Sequence, residues 1–208
     1  MSQNEAAQYW EERYSTATQV WSGRANASMV AVASELTPGT ALDLGCGEGG
    51  DSLWLAEQGW RVTGVDISPT AVRRGADEAA RRGIPADRNT WVAADLETWT
   101  TDARFDLVSA CFLQSNVTLS REAILRRAAT LVAPGGHLLV VAHAAPPPWS
   151  KHFHAEMPTP AEELAALNLP ADAWETVTAE ARERPATGPD GESAVLLDSV
   201  VVVRRNGM

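Results

Sequence analysis

Positive charge is what this chain has least of. Its 208 residues carry 17 lysines and arginines against 27 aspartates and glutamates, a formal net charge of −10. That sign repels phosphate backbones and anionic lipid headgroups, so no nucleic-acid or membrane partner is expected. Cysteine is also scarce. Cys46 and Cys111 sit inside apolar runs and not at framework spacings, so no disulfide scaffold is expected and a reducing cytoplasm is the default. No apolar run approaches the roughly 18 residues of a membrane-crossing helix. The polar N-terminus lacks a signal-like apolar core. Internal repeats and low-complexity tracts are lacking too. What is left open is a small-molecule partner, cationic or neutral, and a length suited to one well-packed α/β domain.

Within that domain one stretch organises the rest. Ala41-Leu42-Asp43-Leu44-Gly45-Cys46-Gly47-Glu48-Gly49-Gly50 reads as a short buried strand, a glycine-rich turn and a helix beginning near Asp51. Asp43, Gly45 and Gly47 form D-x-G-x-G. Glycine there permits positive φ and lets a ligand lie against the backbone. Asp43 lies in an apolar strand, where an unpaired acid is costly, so a ligand site is preferred over a simple helix cap. A second strand, Arg61 to Asp66, ends in a carboxylate 21 positions after Gly45. That is the spacing at which an acid accepts hydrogen bonds from ribose hydroxyls. The pair of motifs reads as a nucleoside-cofactor site. Its charge then narrows the ligand. A diphosphate favours a helix N-terminus free of acids. Here Asp43 precedes the turn, Glu48 lies in it and Asp51 follows it. A sulfonium and an α-ammonium, both positive, suit that surrounding better.

The rest of the chain alternates helix and strand signals. A short helix over 3–14 places Tyr9, Trp10, Arg13 and Tyr14 on neighbouring faces, either packed on the core or, with Trp21, forming a lid over the glycine turn. A loop follows at 21–26, then a helix over 27–36 stopped by Pro38-Gly39. Strands are expected at 40–45, 61–66, 90–94, 105–112 and 137–142, with helices at 50–58, 69–82 and 121–131 between them. Ser68-Pro69 is a helix start with proline at the first helical position. The helix over 121–131 runs into Pro134-Gly135-Gly136, and the apolar strand at 137–142 reads as covered on both faces. This alternation predicts a doubly wound, mostly parallel sheet with right-handed crossovers. Residues 143–160 carry five prolines and three histidines and read as a loop. A helix at 160–167 and two strands, 174–184 and 193–205, follow around the turn Gly188-Pro189-Asp190-Gly191. They are expected as a C-terminal antiparallel hairpin completing seven strands, with Val200 to Val203 either internal or at a dimer edge.

Leu42-Asp43-Leu44-Gly45-Cys46-Gly47-Glu48-Gly49 with Val65-Asp66-Ile67-Ser68 resembles the first two motifs of the class I S-adenosylmethionine-dependent methyltransferases. The match continues at Ala94-Asp95-Leu96, at Phe105-Asp106-Leu107-Val108 and at Leu131 to Gly136, in family order over roughly 38–142. Tyr9-Trp10-Glu11-Glu12-Arg13-Tyr14, Trp21-Ser22-Gly23 and Asn26 resemble the small bacterial branch with the tellurite-resistance and thiopurine-type enzymes. The resemblance implies an α/β, Rossmann-like fold in one domain: an N-terminal helical lid (1–37), a cofactor-binding core (38–142) and a substrate-side loop with the hairpin (143–208). It implies S-adenosyl-L-methionine as cofactor and S-adenosyl-L-homocysteine as product. It also implies roles by position. Asp43 with Gly45, Cys46 and Gly47 would hold the methionine part, Asp66 the ribose and Ile67 the adenine face. Asp95 would accept from the adenine amino group, Leu96 would pack on the ring, and Cys111 would line the site near the methyl group. Trp10, Arg13 and Trp21 would close over the cofactor.

Asp95 also reads as a turn cap, and the two cysteines as small packing residues rather than nucleophiles. Methyl transfer needs alignment and exclusion of water, and a base only where the acceptor must lose a proton. His143, at the end of the fifth strand, is the candidate base. His152 and His154 read as loop residues, and no third ligand completes a metal site with them. The acceptor is expected among the N-terminal aromatics, residues 112–116 and the loop 143–158, as a small neutral molecule. Two other functions remain: a nucleotide-dependent oxidoreductase on the same sheet, or a cofactor-binding protein without activity. A monomer and a homodimer both remain open.

Overall fold

The apolar strands sort their side chains to two faces, and each face has its own helices. A computed structural model of the chain describes residues 3–149, 157–188 and 190–207. Lys151, His152 and His154 lie outside them. The strands are β1 (Thr40–Leu44), β2 (Arg61–Asp66), β3 (Asn89–Ala93), β4 (Phe105–Cys111), β5 (Val132–His143), β6 (Trp174–Thr187) and β7 (Ser193–Arg205). The helices are α1 (Gln3–Thr16), α2 (Ala27–Ala33), α3 (Gly50–Glu57), α4 (Pro69–Arg81), α5 (Arg121–Thr130) and α6 (Pro160–Ala166). Ala41, Leu107, Leu139, Val141, Val200 and Val202 face α2 and α3, packing with Met29, Ala33, Leu55 and Ala56. Their alternating neighbours Leu42, Val108, Leu138, Val140, Val201 and Val203 pack with Ile124, Leu125 and Ala128 of α5. Burial of each such side chain stabilises by about 1.5–3 kcal/mol. The central strands are therefore the rigid floor on which the site rests.

Strand order is β3-β2-β1-β4-β5-β7-β6 in one seven-stranded sheet. β1 pairs in parallel with β2 and with β4, and β4 with β5. β7 runs antiparallel between β5 and β6. The chain moves outward from β1 to β3, then returns to β4 on the other side of β1. That reversal opens a crevice at the carboxyl ends of β1 and β4, where doubly wound sheets bind ligands.

Local signals set most boundaries. Ser68 caps α4 by accepting from Ala71 N, with Pro69 in the first turn. Thr159 and Glu162 form a reciprocal capping box at α6. Asn26 caps α2, accepting from Ser28 N and Met29 N, and α2 ends at Ala33, short of the predicted residue 36. β3 begins at Asn89, one residue early. The larger difference is β5, which starts at Val132 and not at His137. Val132 pairs with Phe105, the register breaks, and pairing resumes at Leu107 with His137. Pro134-Gly135-Gly136 forms the intervening bulge, Gly135 at φ +81°. A Pro-Gly-Gly sequence reads as a stop, yet a bulge absorbs it inside a strand. Val200 to Val203 prove internal: β6 covers β7, so β6 is the edge.

Candidate active site

The D-x-G-x-G sequence forms a tight turn between β1 and α3. Gly45, Gly47 and Gly49 take φ of +71°, +54° and +88°. A Cβ on Gly45 would lie 2.8 Å from the Leu113 side chain, and one on Gly47 2.9 Å from the Tyr14 hydroxyl. Gly49 serves packing instead, since a Cβ there would meet the Trp91 ring, which also lies against Gly75. The turn is held from below. Asp66 accepts from Gly47 N and Ser68 N, both at 2.9 Å. Asp43 accepts from Ser52 Oγ at 2.6 Å and Ser109 Oγ at 3.3 Å. Each carboxylate keeps further lone-pair capacity for a ligand.

Above the turn lies a cleft of about 1700 Å³, larger than the roughly 300–1,000 Å³ of an ordinary small-molecule pocket. It has room for a nucleoside cofactor and an acceptor together. Asp43, Gly45, Cys46, Gly47, Asp66, Ile67, Asp95, Leu96, Cys111, Trp10, Arg13, Trp21 and His143 all line it. Asp95 accepts from Glu97 N at 2.8 Å, so it caps a turn and borders the cavity at once. Glu97 in turn accepts from Ser120 N at 2.8 Å, and Arg127 donates to the carbonyls of Leu96 and Glu97. The loop after β3 is thus tied to α5.

The N-terminal segment covers the turn through named contacts. Glu11 accepts from Ser68 Oγ at 2.6 Å, Thr70 Oγ1 at 2.5 Å and Thr70 N at 3.2 Å. Trp21 Nε1 donates to the buried Tyr14 hydroxyl at 2.7 Å, and Trp10 Nε1 to Ser115 Oγ at 3.2 Å. The Arg13 guanidinium lies over both Trp10 (5.7 Å) and Trp21 (5.3 Å). Trp21 is 47% exposed, so it is a cover and not core; Tyr14 is core. Glu48 departs from expectation. Its carboxylate accepts from Val20 N, Trp21 N and Arg74, the last at 2.9 Å. It anchors the cover and its charge is paired, so it adds little to the cavity's negative potential. Burial would push Glu11 up, but the Ser68 and Thr70 donors hold it below the usual carboxylate range. A lowered carboxyl stabilises above its unfolded value and loses that contribution as pH falls through its folded one. Glu11→Ala is expected to speed amide exchange in α1 by about 10- to 100-fold, from loss of hydrogen bonds to a charged acceptor. Wild type should show the same loosening only in acid. Unchanged exchange rates in the variant would remove Glu11 from this role.

The inward acids stand close together. Burial first, and then the charge of Asp51, push Asp43 up to about 7. Burial also raises Asp51 and Asp66. Asp51 accepts from Asn26 N at 2.6 Å and from the Cys111 thiol. Burial and the neighbouring acids raise Cys46 and Cys111 far above ordinary thiols, so neither is a thiolate nucleophile. Among the described residues no group of three or more His, Cys, Asp or Glu is placed to hold a metal.

On the acceptor side the cleft also includes Pro147, Trp149 and part of the β6–β7 hairpin, Arg184 to Thr187 and Ser193 to Leu196. Phe112 takes φ +53°, a left-handed conformation that costs a bulky residue about 1–3 kcal/mol. Its ring stacks on His143, centroids 4.4 Å apart. Sequence reasoning missed Glu11, Asp198 and Arg184. Asp198 had a readable signal, an acid inside Val195 to Val203, the same argument that singles out Asp43.

Residues 41–136, from β1 to the bulge of β5, match the family model described as a methyltransferase domain. Over that segment, under half of the chain, the sequence is similar to methyltransferase domains. A ubiquinone biosynthesis O-methyltransferase of Methylobacterium sp. is 36% identical over 97 residues, 47% of this chain and 38% of that protein. The chain spans less than half the length of the curated relatives it matches. The N-methyltransferase NodS from Bradyrhizobium japonicum, solved with S-adenosyl-L-homocysteine, superposes with a TM-score of 0.69 at 19% identity, covering 97% of this chain and 99% of NodS. TehB from Haemophilus influenzae superposes with a TM-score of 0.67 at 19% identity, covering 96% of this chain and 66% of TehB. Both structures show a shared fold.

Proposed function

We propose that this protein transfers a methyl group from S-adenosylmethionine to a small-molecule acceptor, leaving S-adenosylhomocysteine. The observation that carries the reading is the glycine turn beneath a cleft into which Asp43, Asp51 and Asp66 face. The turn suits the cofactor: Gly45 and Gly47 leave its backbone bare where a Cβ would already meet Leu113 or Tyr14, and Asp66, fixed by two backbone donors, has capacity left for ribose hydroxyls. Asp43 and Asp51 suit the ammonium and sulfonium charges, Asp95 the adenine amino group, and Ile67 and Leu96 the adenine faces. Gly45, Cys46, Gly47 and Cys111 border the methionine part, with Trp10, Arg13 and Trp21 as the cover. A diphosphate in the same place would meet Asp51 in the first turn of α3, which argues against a dinucleotide oxidoreductase.

The cofactor supplies an activated methyl carbon; the chain's residues align the acceptor and exclude water. His143 is our candidate base. The division into lid (1–37), core (38–142) and substrate-side region (143–208) follows from these roles. Two free thiols and a net charge of −10 support a cytoplasmic setting without nucleic-acid partners, as monomer or homodimer. Among the described residues no helix is long and apolar enough to cross a membrane. The test is a screen of small acceptors, RNA and DNA with methyl-labelled donor. Label is expected on small molecules alone. Cofactor binding with no label on any acceptor would leave a binding protein instead.

A further inference from the structure

Four side chains on the β5–β7–β6 side of the cleft are not needed to hold the cofactor, yet they are locked together. The His143 ring stacks on Phe112, and Arg184 lies over the same Phe112 ring at 5.3 Å. Arg184 also grips Asp198, Nε to Oδ2 at 2.6 Å and the second nitrogen to Oδ1 at 3.3 Å. Asp198 is fully buried. Burial alone would raise it, but His143 and Arg184 hold it below the usual carboxylate range, so it is ionised. His143 Nδ1 points at this carboxylate from 3.6 Å. Nδ1 is out of contact with solvent and has no hydrogen-bond partner among the described residues. The side chain is nevertheless 25% exposed and lines the cleft, so its open edge carries Nε2.

We propose that Asp198 positions His143 as a proton acceptor, and that the acceptor molecule it serves is a flat, uncharged aromatic hydroxyl. This rests on the methyl-transfer reading. A carboxylate facing Nδ1 favours the tautomer with the proton there, leaving the Nε2 lone pair toward the cleft. The contact at 3.6 Å is longer than a hydrogen bond, and unliganded sites commonly tighten when substrate enters. The acceptor oxygen gives its proton to Nε2 and its lone pair to the methyl carbon, while the carbon–sulfur bonding pair withdraws to sulfur. The imidazolium, held by Asp198, then returns its proton to solvent.

Charge selects the class. Arg184, Asp198 and a neutral imidazole sum to zero, and the transferred proton makes the group cationic. A developing phenolate is favoured beside it, and an ammonium is not. Among the described residues, Cys111 on β4 does not compete for the proton: it is a raised thiol that already donates to Asp51 of α3. Phe112, Pro147, Trp149, Pro185 and Leu196 give this part of the cleft flat apolar walls.

The test needs no knowledge of the natural acceptor. The chain has four histidines, so the nitrogen-15 signals of His143 are assigned by their loss in His143→Gln. Wild type is expected to show the neutral Nδ1-protonated tautomer. In Asp198→Asn, Arg184 claims the amide oxygen, the amide N–H faces Nδ1, and the tautomer is expected to reverse. Para-nitrophenol is then added to the complex with S-adenosylhomocysteine. At one fixed pH its bound form should carry a larger phenolate absorbance than free para-nitrophenol, and His143→Gln should lose that excess. An Nε2-protonated wild type would overturn the positioning role. Failure of para-nitrophenol to bind, or an excess retained in His143→Gln, would overturn the acceptor class. S-adenosylhomocysteine affinity measured on the same samples separates the two readings. If it binds while the tautomer is wrong, methyl transfer stands and this proposal falls.

Discussion

Asp66→Ala is expected to weaken S-adenosylhomocysteine binding by roughly 10- to 100-fold, the loss of about 1.5–3 kcal/mol of hydrogen bonding to a charged acceptor. The expectation comes from position and preorganisation. Asp66 ends β2 beside the turn, and its two oxygens are fixed by Gly47 N and Ser68 N. A ribose diol therefore meets a carboxylate that is already aimed and has little side-chain entropy left to lose. The variant also frees the amide of Gly47, so part of the loss reflects a looser turn. Titration calorimetry on variant protein with unchanged circular dichroism separates this effect from unfolding. An unchanged dissociation constant would take the ribose role away from Asp66.

Acid should weaken cofactor binding well before it unfolds the protein. In the free protein, burial and the charge of Asp51 hold Asp43 at about 7. A positively charged ligand prefers the ionised carboxylate, so binding below that value must expel a proton. Affinity for S-adenosylmethionine is then expected to fall by roughly 10- to 50-fold between pH 7 and pH 5, where the ligand's amino group remains protonated. Asp43→Asn should flatten the dependence, and the raised Asp51 and Asp66 should keep a remnant of it. Fold stability runs in the opposite sense. A carboxyl raised above its unfolded value binds a proton on folding, so its contribution is full below about pH 4 and is lost as pH rises through about 7. Calorimetry in buffers of different ionisation enthalpy reads the proton release directly. Proton uptake on binding, or a flat affinity profile, would contradict the inward, ligand-facing placement of Asp43.

The parts of the molecule that were legible in the sequence are those where one residue type answers one physical demand. Glycine at positive φ, an acid inside an apolar strand and proline in a first turn mark the turn, Asp43 and α4 without ambiguity. Period-two sorting was not needed for the central strands, because helices on both sides make most positions apolar. Illegible features depend on partners distant in the chain. Glu48 reads as a ligand-facing acid until Arg74 and the amides of Val20 and Trp21 are seen to occupy it. The role of Glu11 shows only when Ser68 and Thr70 are seen to close on it. Pro134-Gly135-Gly136 reads as a terminator because a bulge and a break share the same residues. The hairpin reaches the cleft through Arg184 only because β7 inserts between β5 and β6, an order no local signal encodes.

The central claim is that acids around a side-chain-free bend select a positively charged adenosyl thioether or sulfonium over a diphosphate. Parallel calorimetric titrations of the wild-type protein with S-adenosylhomocysteine and with NADH at neutral pH put it most directly at risk. Saturable binding of the thioether with no heat from NADH is the predicted result, and tight NADH binding with no response to the thioether would contradict it.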